Sequence, residues 1–315
     1  MVSPLLLRTI VFANVIAFMA MSATLTMAKT SVNNFAAATF GTIGIYITLT
    51  NIKILGIGLY PSLLFCFIGG GIVGVATYLL LIKPLKMRGA KGGEIMIATL
   101  ALDTVLIALL NIYADFLNRV LKVMSRDFTL TPYDFDFQGV NGVFIVSTVI
   151  LIAVLITLHL IYTRTSMGIA LRAMGENPSL AECQGVDTER LCIVTWFLAG
   201  SLPAVAGGLF PVYWMSNPNV SVFIGVTVFG ASILGGFMTI YDAIAGSYIV
   251  AFAQIALVSY LSSFVGSWVL SYQFLAPLSV IVITLLTFPS GIYGLPWDKL
   301  LEKVTILKGS NKRRK

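Results

Sequence analysis

Apolar runs of about twenty residues recur along the chain, separated by polar connections that are mostly short. They fall near 8–28, 34–50, 57–82, 94–112, 141–162, 191–212, 222–238, 243–264 and 270–289. A run of this length crosses about 30 Å of hydrocarbon as an α-helix. In lipid a single segment can satisfy its own backbone only as a helix. The pattern therefore predicts an all-α, polytopic integral membrane protein with about eight to ten crossings. Runs 34–50 and 222–238 are short, and the first is rich in Gly and Thr, so a broken or re-entrant helix is the alternative at each.

Composition agrees. Of 315 residues, 58% are hydrophobic and 10% charged, where soluble domains carry roughly 25% charged residues. A net charge of +7 would suggest nucleic acid in a soluble protein. Here it follows from basic residues collecting in the loops of one side, as cytoplasmic loops do, and no nucleic-acid partner is implied. Placing 83–93, 163–190 and the tail 298–315 inside gathers Lys83, Lys86, Arg88, Lys91, Arg164, Arg172, Arg190 and the tail's lysines and arginines there. The other side keeps Lys53, Arg119, Lys122 and Arg126, with Arg8 if the amino terminus lies outside. This layout predicts a multi-pass plasma-membrane protein with a cytoplasmic carboxyl terminus. It makes 1–297 one transmembrane domain, 113–140 an external loop with Asp115, Asp127, Asp134 and Asp136, and 298–315 a tail whose Lys312–Lys315 end sits near anionic lipid.

Little in the chain suggests catalysis. Cys66, Cys183 and Cys192 show no paired or metal-ligand spacing, so neither a disulfide nor a metal site is expected. His159 is the only histidine and is expected to sit at the membrane interface. The first apolar run lacks a small-residue cleavage site and reads as a retained helix rather than a signal peptide. Gly200, Ala204 and Gly208 recur every four residues, as do Gly70 and Gly74. Small residues at that spacing let helix backbones approach in lipid, here within the chain rather than between subunits.

Some polar residues stand inside apolar runs. A carboxylate such as Asp103 is costly there and usually faces a bundle interior or a wet cavity. It either lines a path, pairs with Asn111 or another helix, or sits protonated. Asn34, Thr39, Thr42 and Thr48 thread the second run, as a solute path or as glue between helices. Glu94 suits the first turn of a helix, and Asp242 is expected in a short inside turn after Tyr241.

The long inside connection 163–190 reads TRTSMGIALRAMGENPSLAECQGVDTER. Ser166 to Met174 suits a short helix closed by Gly175 in the left-handed conformation. Asn177 and Pro178 suit the N-cap and first position of a second helix, which runs through Gln184 and stops at Gly185. Leu180 and Ala181 are expected on one face, Glu182 and Gln184 on another. The result is a cytoplasmic two-helix hairpin that is either a plain connection or a handle through which a soluble partner exerts force.

This loop resembles that of the permease subunits of ABC importers for branched-chain amino acids, in the wider group that includes ribose-type sugar permeases. The family reads approximately G-x-A-x-R-A-x-x-x-N-x-x-A-A-x-x-x-G, and Gly168, Ala170, Arg172, Ala173, Asn177, Ala181 and Gly185 fall in step. The next span supplies the family's small-residue face with Ala199, Gly200, Ala206 and Gly207. Segment 34–46, NFAAATFGTIGIY, is similar to the N-F-A-H-G-x-F-x-x-x-G-A-Y of the first of two paired permeases, with Ala37, Ala38 and Ile45 at the family's His, Gly and Ala. Segment 97–103, IATLALD, resembles I-A-T-L-G-L-S, with Asp103 in place of a small polar residue. Segment 229–246 resembles A-x-x-x-L-G-G-x-x-x-x-x-G-A-x-x-G, with Asp242 at a Gly.

The resemblance implies a subunit that imports a solute handed over by an extracytoplasmic binding protein. It implies a second permease subunit, commonly in a heterodimer, and two cytoplasmic ATPase subunits docked on the loops matching 163–190. The coupling residues carried over are Gly168, Arg172, Ala173, Asn177, Pro178, Ala181 and Gly185. The sequence has no G-x-x-x-x-G-K-[ST] phosphate loop, so no cofactor is expected on this chain and ATP is expected on its partners. Two alternatives stand beside this reading. One is a related permease for a sugar, nucleoside or urea. The other is a secondary transporter working alone, with Asp103 and His159 as proton carriers.

Overall fold

A computed structural model describes residues 4–137, 139–287 and 291–292, and within them the apolar runs are helices. They are α1 (Pro4–Thr30), α2 (Ala37–Lys53), α3 (Ser62–Met87), α4 (Gly92–Arg119), α5 (Gly142–Arg164), α6 (Ser166–Glu176), α7 (Pro178–Cys183), α8 (Thr188–Leu209), α9 (Val220–Gly235), α10 (Ile240–Phe264) and α11 (Leu275–Thr287). Six of them, α1, α3, α4, α5, α8 and α10, are long and apolar enough to cross a membrane. Strand is confined, among the described residues, to a two-stranded ribbon pairing Asp136–Phe137 with Val140–Asn141. The chain is an all-α, polytopic membrane protein.

Polar contacts define two ends. At one, Lys86 Nζ donates to the Thr30 carbonyl (2.8 Å), Lys83 pairs with Glu189, and His159 Nδ1 meets the Tyr241 hydroxyl at 2.5 Å. The α6–α7 hairpin hangs from this end. At the other, Lys53 Nζ reaches the Tyr133 hydroxyl (2.9 Å), Phe128 and Ser216 form a backbone bridge, and Arg8 lies over the Trp214 ring at 5.4 Å. The Tyr60 hydroxyl donates to Asp134 there. Burial first, then the neighbouring carboxylate, pushes the Tyr60 phenol above its ordinary range. Helices α1, α3, α4, α5, α8 and α10 are long enough to run between these ends, and α2, α9 and α11 are shorter.

Helices α1, α2 and α8 are sunk in the core, while α4 and α5 show most of their surface. The small residues explain how the centre closes. A Cβ built on Gly70 would strike Ala204 and the Gly200 carbonyl, and one on Gly74 the Trp196 carbonyl. A Cβ on Gly44 would strike Ala204 in the same way, and one on Gly207 the Gly41 carbonyl. Gly208 faces Leu63, Thr48 and Cys66. The four-residue spacing read from the sequence is thus a seam within the chain, with α8 wedged between α2 and α3. A buried polar knot adds to it: Asn14 Nδ2 donates to Ser147 Oγ (3.1 Å) and Thr148 Oγ1 (3.0 Å), and the Tyr248 hydroxyl donates to Asn14 Oδ1 (2.5 Å). Such bonds tie spans together where no water competes.

Several expectations change. Runs 34–50 and 222–238 form the unbroken helices α2 and α9, although residues 31–36 ahead of α2 are not helical. Helix α4 continues to Arg119, so the connection expected at 113–140 starts later. Asp242 sits not in a turn but at the third position of α10, where Thr239 Oγ1 donates to its carboxylate (2.5 Å) and accepts from its N–H (3.3 Å). Thr239 is therefore the N-cap of α10, and its hydroxyl also holds the Asp242 carboxylate. At α4, Glu94 reaches back and accepts from the Lys91 backbone N–H at 3.0 Å, the acid's half of a capping box. Helix α6 runs through Gly175 to Glu176, so Gly175 closes nothing. Its missing Cβ leaves room for the Ala28 carbonyl instead. The tail 298–315 lies outside the described residues.

Candidate functional site

The hairpin is fixed at every joint. Thr165 caps α6, its Oγ1 accepting from Gly168 N–H at 3.1 Å. Gly168 is buried against the end of α5, where a Cβ would overlap the Ile161 and Tyr162 carbonyl oxygens. Arg172 donates to that same Tyr162 carbonyl and so caps α5 from α6. Asn177 caps α7, its Oδ1 accepting from Leu180 N–H at 3.1 Å, with Pro178 at the first helical position. Gly185 turns the chain with φ +81°, a conformation costly to residues with a Cβ. Asp187 then caps α8 through Arg190 N–H (3.1 Å), and Thr188 Oγ1 donates to Glu182 (2.6 Å).

Leu171, Met174 and Ala181 are buried, and the first two join Tyr78, Ile82, Ile95, Leu191 and Trp196 in a second apolar cluster. Leu180 does not share the face of Ala181: it is 60% exposed where Ala181 is 3% exposed. Neighbours on a helix lie about 100° apart, so one turns inward and the other outward. Ala173, Asn177, Pro178, Cys183 and Gln184 are exposed with Leu180. The arrangement is a rigid projection with an apolar tip, seated on the ends of α3, α4, α5 and α8.

The polar thread gathers deeper. After α1 the chain dips back inward: Thr99 Oγ1 donates to the Asn33 carbonyl (2.9 Å) and accepts from Phe35 N–H (3.4 Å). Thr99 lies about 10 Å along α4 from Gly92, so α2 starts well inside the bundle. Thr39 of α2 donates to Asp103 of α4 at 2.5 Å, which settles Asp103's partner as α2 rather than Asn111. Thr42 Oγ1 and Asn34 Nδ2 are buried without partners among the described residues. Thr48 differs from them: its hydroxyl lies 3.1 Å from Cys66 Sγ and is interhelical glue. Phe35 stacks on Phe229 of α9 at 4.5 Å. Asn34, Thr39, Thr42 and Asp103 thus lie at the meeting of α2 and α4, beside α9.

The structure also shows a cluster that sequence reasoning missed. Asn111 Nδ2 donates to Asn219 Oδ1 (3.0 Å), and Arg126 reaches both Asn111 (3.2 Å) and Asp115 (2.9 Å). The signal available was Asn111 and Asp115, one turn apart on a single apolar helix. His159 stands apart from Asp103, bonded to Tyr241. Among the described residues no group of three or more His, Cys, Asp or Glu is placed to hold a metal.

Comparison with known proteins gives concordant likenesses. A family model described as branched-chain amino acid transport system / permease component matches residues 5–288. The chain is 39% identical over 291 residues to the probable branched-chain amino acid transport permease protein LivH of Methanocaldococcus jannaschii, covering 92% of each. It is 27% identical over 282 residues to the high-affinity branched-chain amino acid transport system permease protein LivH of Escherichia coli, covering 84% of this chain and 86% of that one. A nucleoside ABC transporter permease protein, NupB of Lactococcus lactis, is 28% identical over 129 residues, covering 40% and 35%. No solved structure gives a significant match.

Proposed function

The chain belongs to the family of branched-chain amino acid transport permease components, and from that premise we propose that it is the membrane-spanning subunit of an ABC importer for branched-chain or related amino acids. It works in the plasma membrane with the hairpin end and carboxyl terminus facing the cytoplasm. It pairs with a second permease subunit, as a heterodimer. Two ATPase subunits dock on the α6–α7 hairpins, and an extracytoplasmic binding protein delivers the solute at the other end. ATP is bound and hydrolysed by those partners.

One observation carries this reading: the hairpin is fully capped, anchored by buried Leu171, Met174 and Ala181, and tipped by exposed Leu180. A mere connection has no need of such stiffness. A lever does, because force applied at a floppy loop is lost before it reaches the spans. The amino-acid reading is favoured over nucleosides or sugars by coverage, since the nucleoside permease matches only 40% of this chain. Asn34, Thr39, Thr42 and Asp103 are assigned to the solute path, with two buried polar groups still free to bond a solute.

The test is uptake in proteoliposomes by the assembled complex. ATP inside, with leucine-loaded binding protein outside, is expected to drive leucine uptake, and an imposed proton gradient without ATP is expected to drive none. Asp103→Asn keeps an oxygen for Thr39 to donate to and is expected to retain ATP-driven uptake. Asp103→Leu leaves the buried Thr39 hydroxyl without its partner, which costs about 1–3 kcal/mol, and is expected to reduce uptake about fivefold or more. Proton-driven uptake by the purified chain, lost in Asp103→Asn, would instead establish the solo transporter.

A further inference from the structure

A cavity at the hairpin end takes no part in the transport reading. Its volume is about 210 Å³, and it lies between the last turns of α1, the end of α5, Arg172 of α6 and the turn into α10. Leu25, Ala28, Met238 and Ile240 give it apolar walls. Two cations line it. Lys29 holds its Nζ 5.2 Å from the centre of the Tyr162 ring, and Arg172 is tied to the Tyr162 carbonyl. Among the described residues no carboxylate lines the cavity and neither cation belongs to an ion pair, although Glu176 of α6 stands close enough to Lys29 to act on it.

A second feature is independent of charge. Thr24 lines the same cavity, is 1% exposed, and its Oγ1 has no hydrogen-bond partner among the described residues. Thr9, Thr26 and Thr30 on the same helix each return their hydroxyl to the carbonyl four residues back. Thr24 does not, and a buried hydroxyl left unbonded is costly. Thr24 and Lys29 are about 7.5 Å apart along the helix axis. The cavity therefore offers cations near the hairpin end, a hydroxyl donor one and a half turns deeper, and apolar walls alongside.

A phospholipid presents its groups in that order: phosphate at the surface, ester carbonyls below, alkyl chains below those. We infer that this cavity binds one anionic phospholipid, its phosphate held by Lys29 and Arg172 and an ester carbonyl accepting from Thr24 Oγ1. Basic pockets between spans recognise anionic head groups in this way. A free phosphate satisfies the cations but leaves Thr24 unbonded. A short aliphatic carboxylate fills the apolar walls but has no second acceptor at Thr24's depth. The bound lipid joins α1 to the hairpin through Arg172, and the inference stands whatever solute the protein carries.

The experiment uses the complete transporter complex in detergent, read by native mass spectrometry after addition of phosphatidylglycerol or phosphatidylcholine. Wild type is expected to retain one phosphatidylglycerol per copy of this chain in preference to phosphatidylcholine. Lys29→Gln is expected to weaken that preference about fivefold, and Lys29→Arg to preserve it. Thr24→Val, close in shape but without the hydroxyl, is expected to weaken retention of both lipids. Inorganic phosphate and isovalerate are expected to leave the lipid in place. Equal retention by wild type and Lys29→Gln overturns the inference, as does displacement by phosphate or isovalerate. Should Lys29→Gln fail to assemble, unchanged retention in Thr24→Val overturns it alone.

Discussion

Gly200→Leu is expected to leave little folded protein in the membrane. A Cβ at that position would overlap the Gly70 carbonyl oxygen and come within 2.9 Å of the Gly74 nitrogen. These are backbone atoms of α3, so no side chain can swing aside. Overpacking a tight core costs about 1–3 kcal/mol even where side chains yield, and the whole of α3 must shift here. The loss is serious because helices in lipid have no hydrophobic force driving them together and depend on close packing. Gly225→Ala is the control, since its Cβ would meet only Ala38 Cβ at 3.7 Å, an ordinary contact. Thermal aggregation of the detergent-extracted protein should separate the two, with Gly225→Ala near wild type.

Leu180→Asp is expected to have the largest effect on transport while leaving the fold alone. Leu180 is 60% exposed and supports no buried cluster, so the chain should insert and extract as wild type does. Its exposed apolar side chain at the tip of a stiff projection has the character of an interface anchor, and losing such an anchor costs about 2 kcal/mol or more. ATP-driven uptake and the stimulation of ATP hydrolysis by loaded binding protein should therefore fall together, by at least about thirtyfold. Ala181→Leu makes the contrast. Ala181 is buried, so that change should lower stability before it touches coupling.

The crossings were readable because lipid imposes one demand, an unbroken apolar helix of sufficient length. Which helices lie inside was not. Lipid and protein interior are equally apolar, so a span-length apolar run marks α1 and α5 alike although α1 is buried and α5 largely exposed. Only the glycine spacing of α8 and α3 betrayed an interior position, because close backbone approach needs small residues wherever it occurs. Caps were partly legible. Asn177 and Pro178 have side-chain chemistry that determines their place, whereas Gly175 suits both a helix end and a close contact and took the second. Asp242 was misplaced because its partner, Thr239, precedes the apolar run. Asp103 announced itself as a carboxylate among apolar residues, but its bond to Thr39 depends on how deep α2 starts, which hydropathy does not record. Asn14, equally isolated in an apolar run, carried the same signal.

The docking role of the hairpin is tested most directly by cross-linking. In the assembled complex, with Cys183 replaced by serine, Leu180→Cys should form a cross-link to an ATPase subunit with a short bifunctional maleimide. Leu55→Cys, equally exposed at 60% but in the connection at the opposite end, should form none. An impermeant thiol reagent applied outside intact cells should reach position 55 and not position 180. Labelling of position 180 from outside, or an actively transporting complex in which it touches no ATPase, would contradict the account.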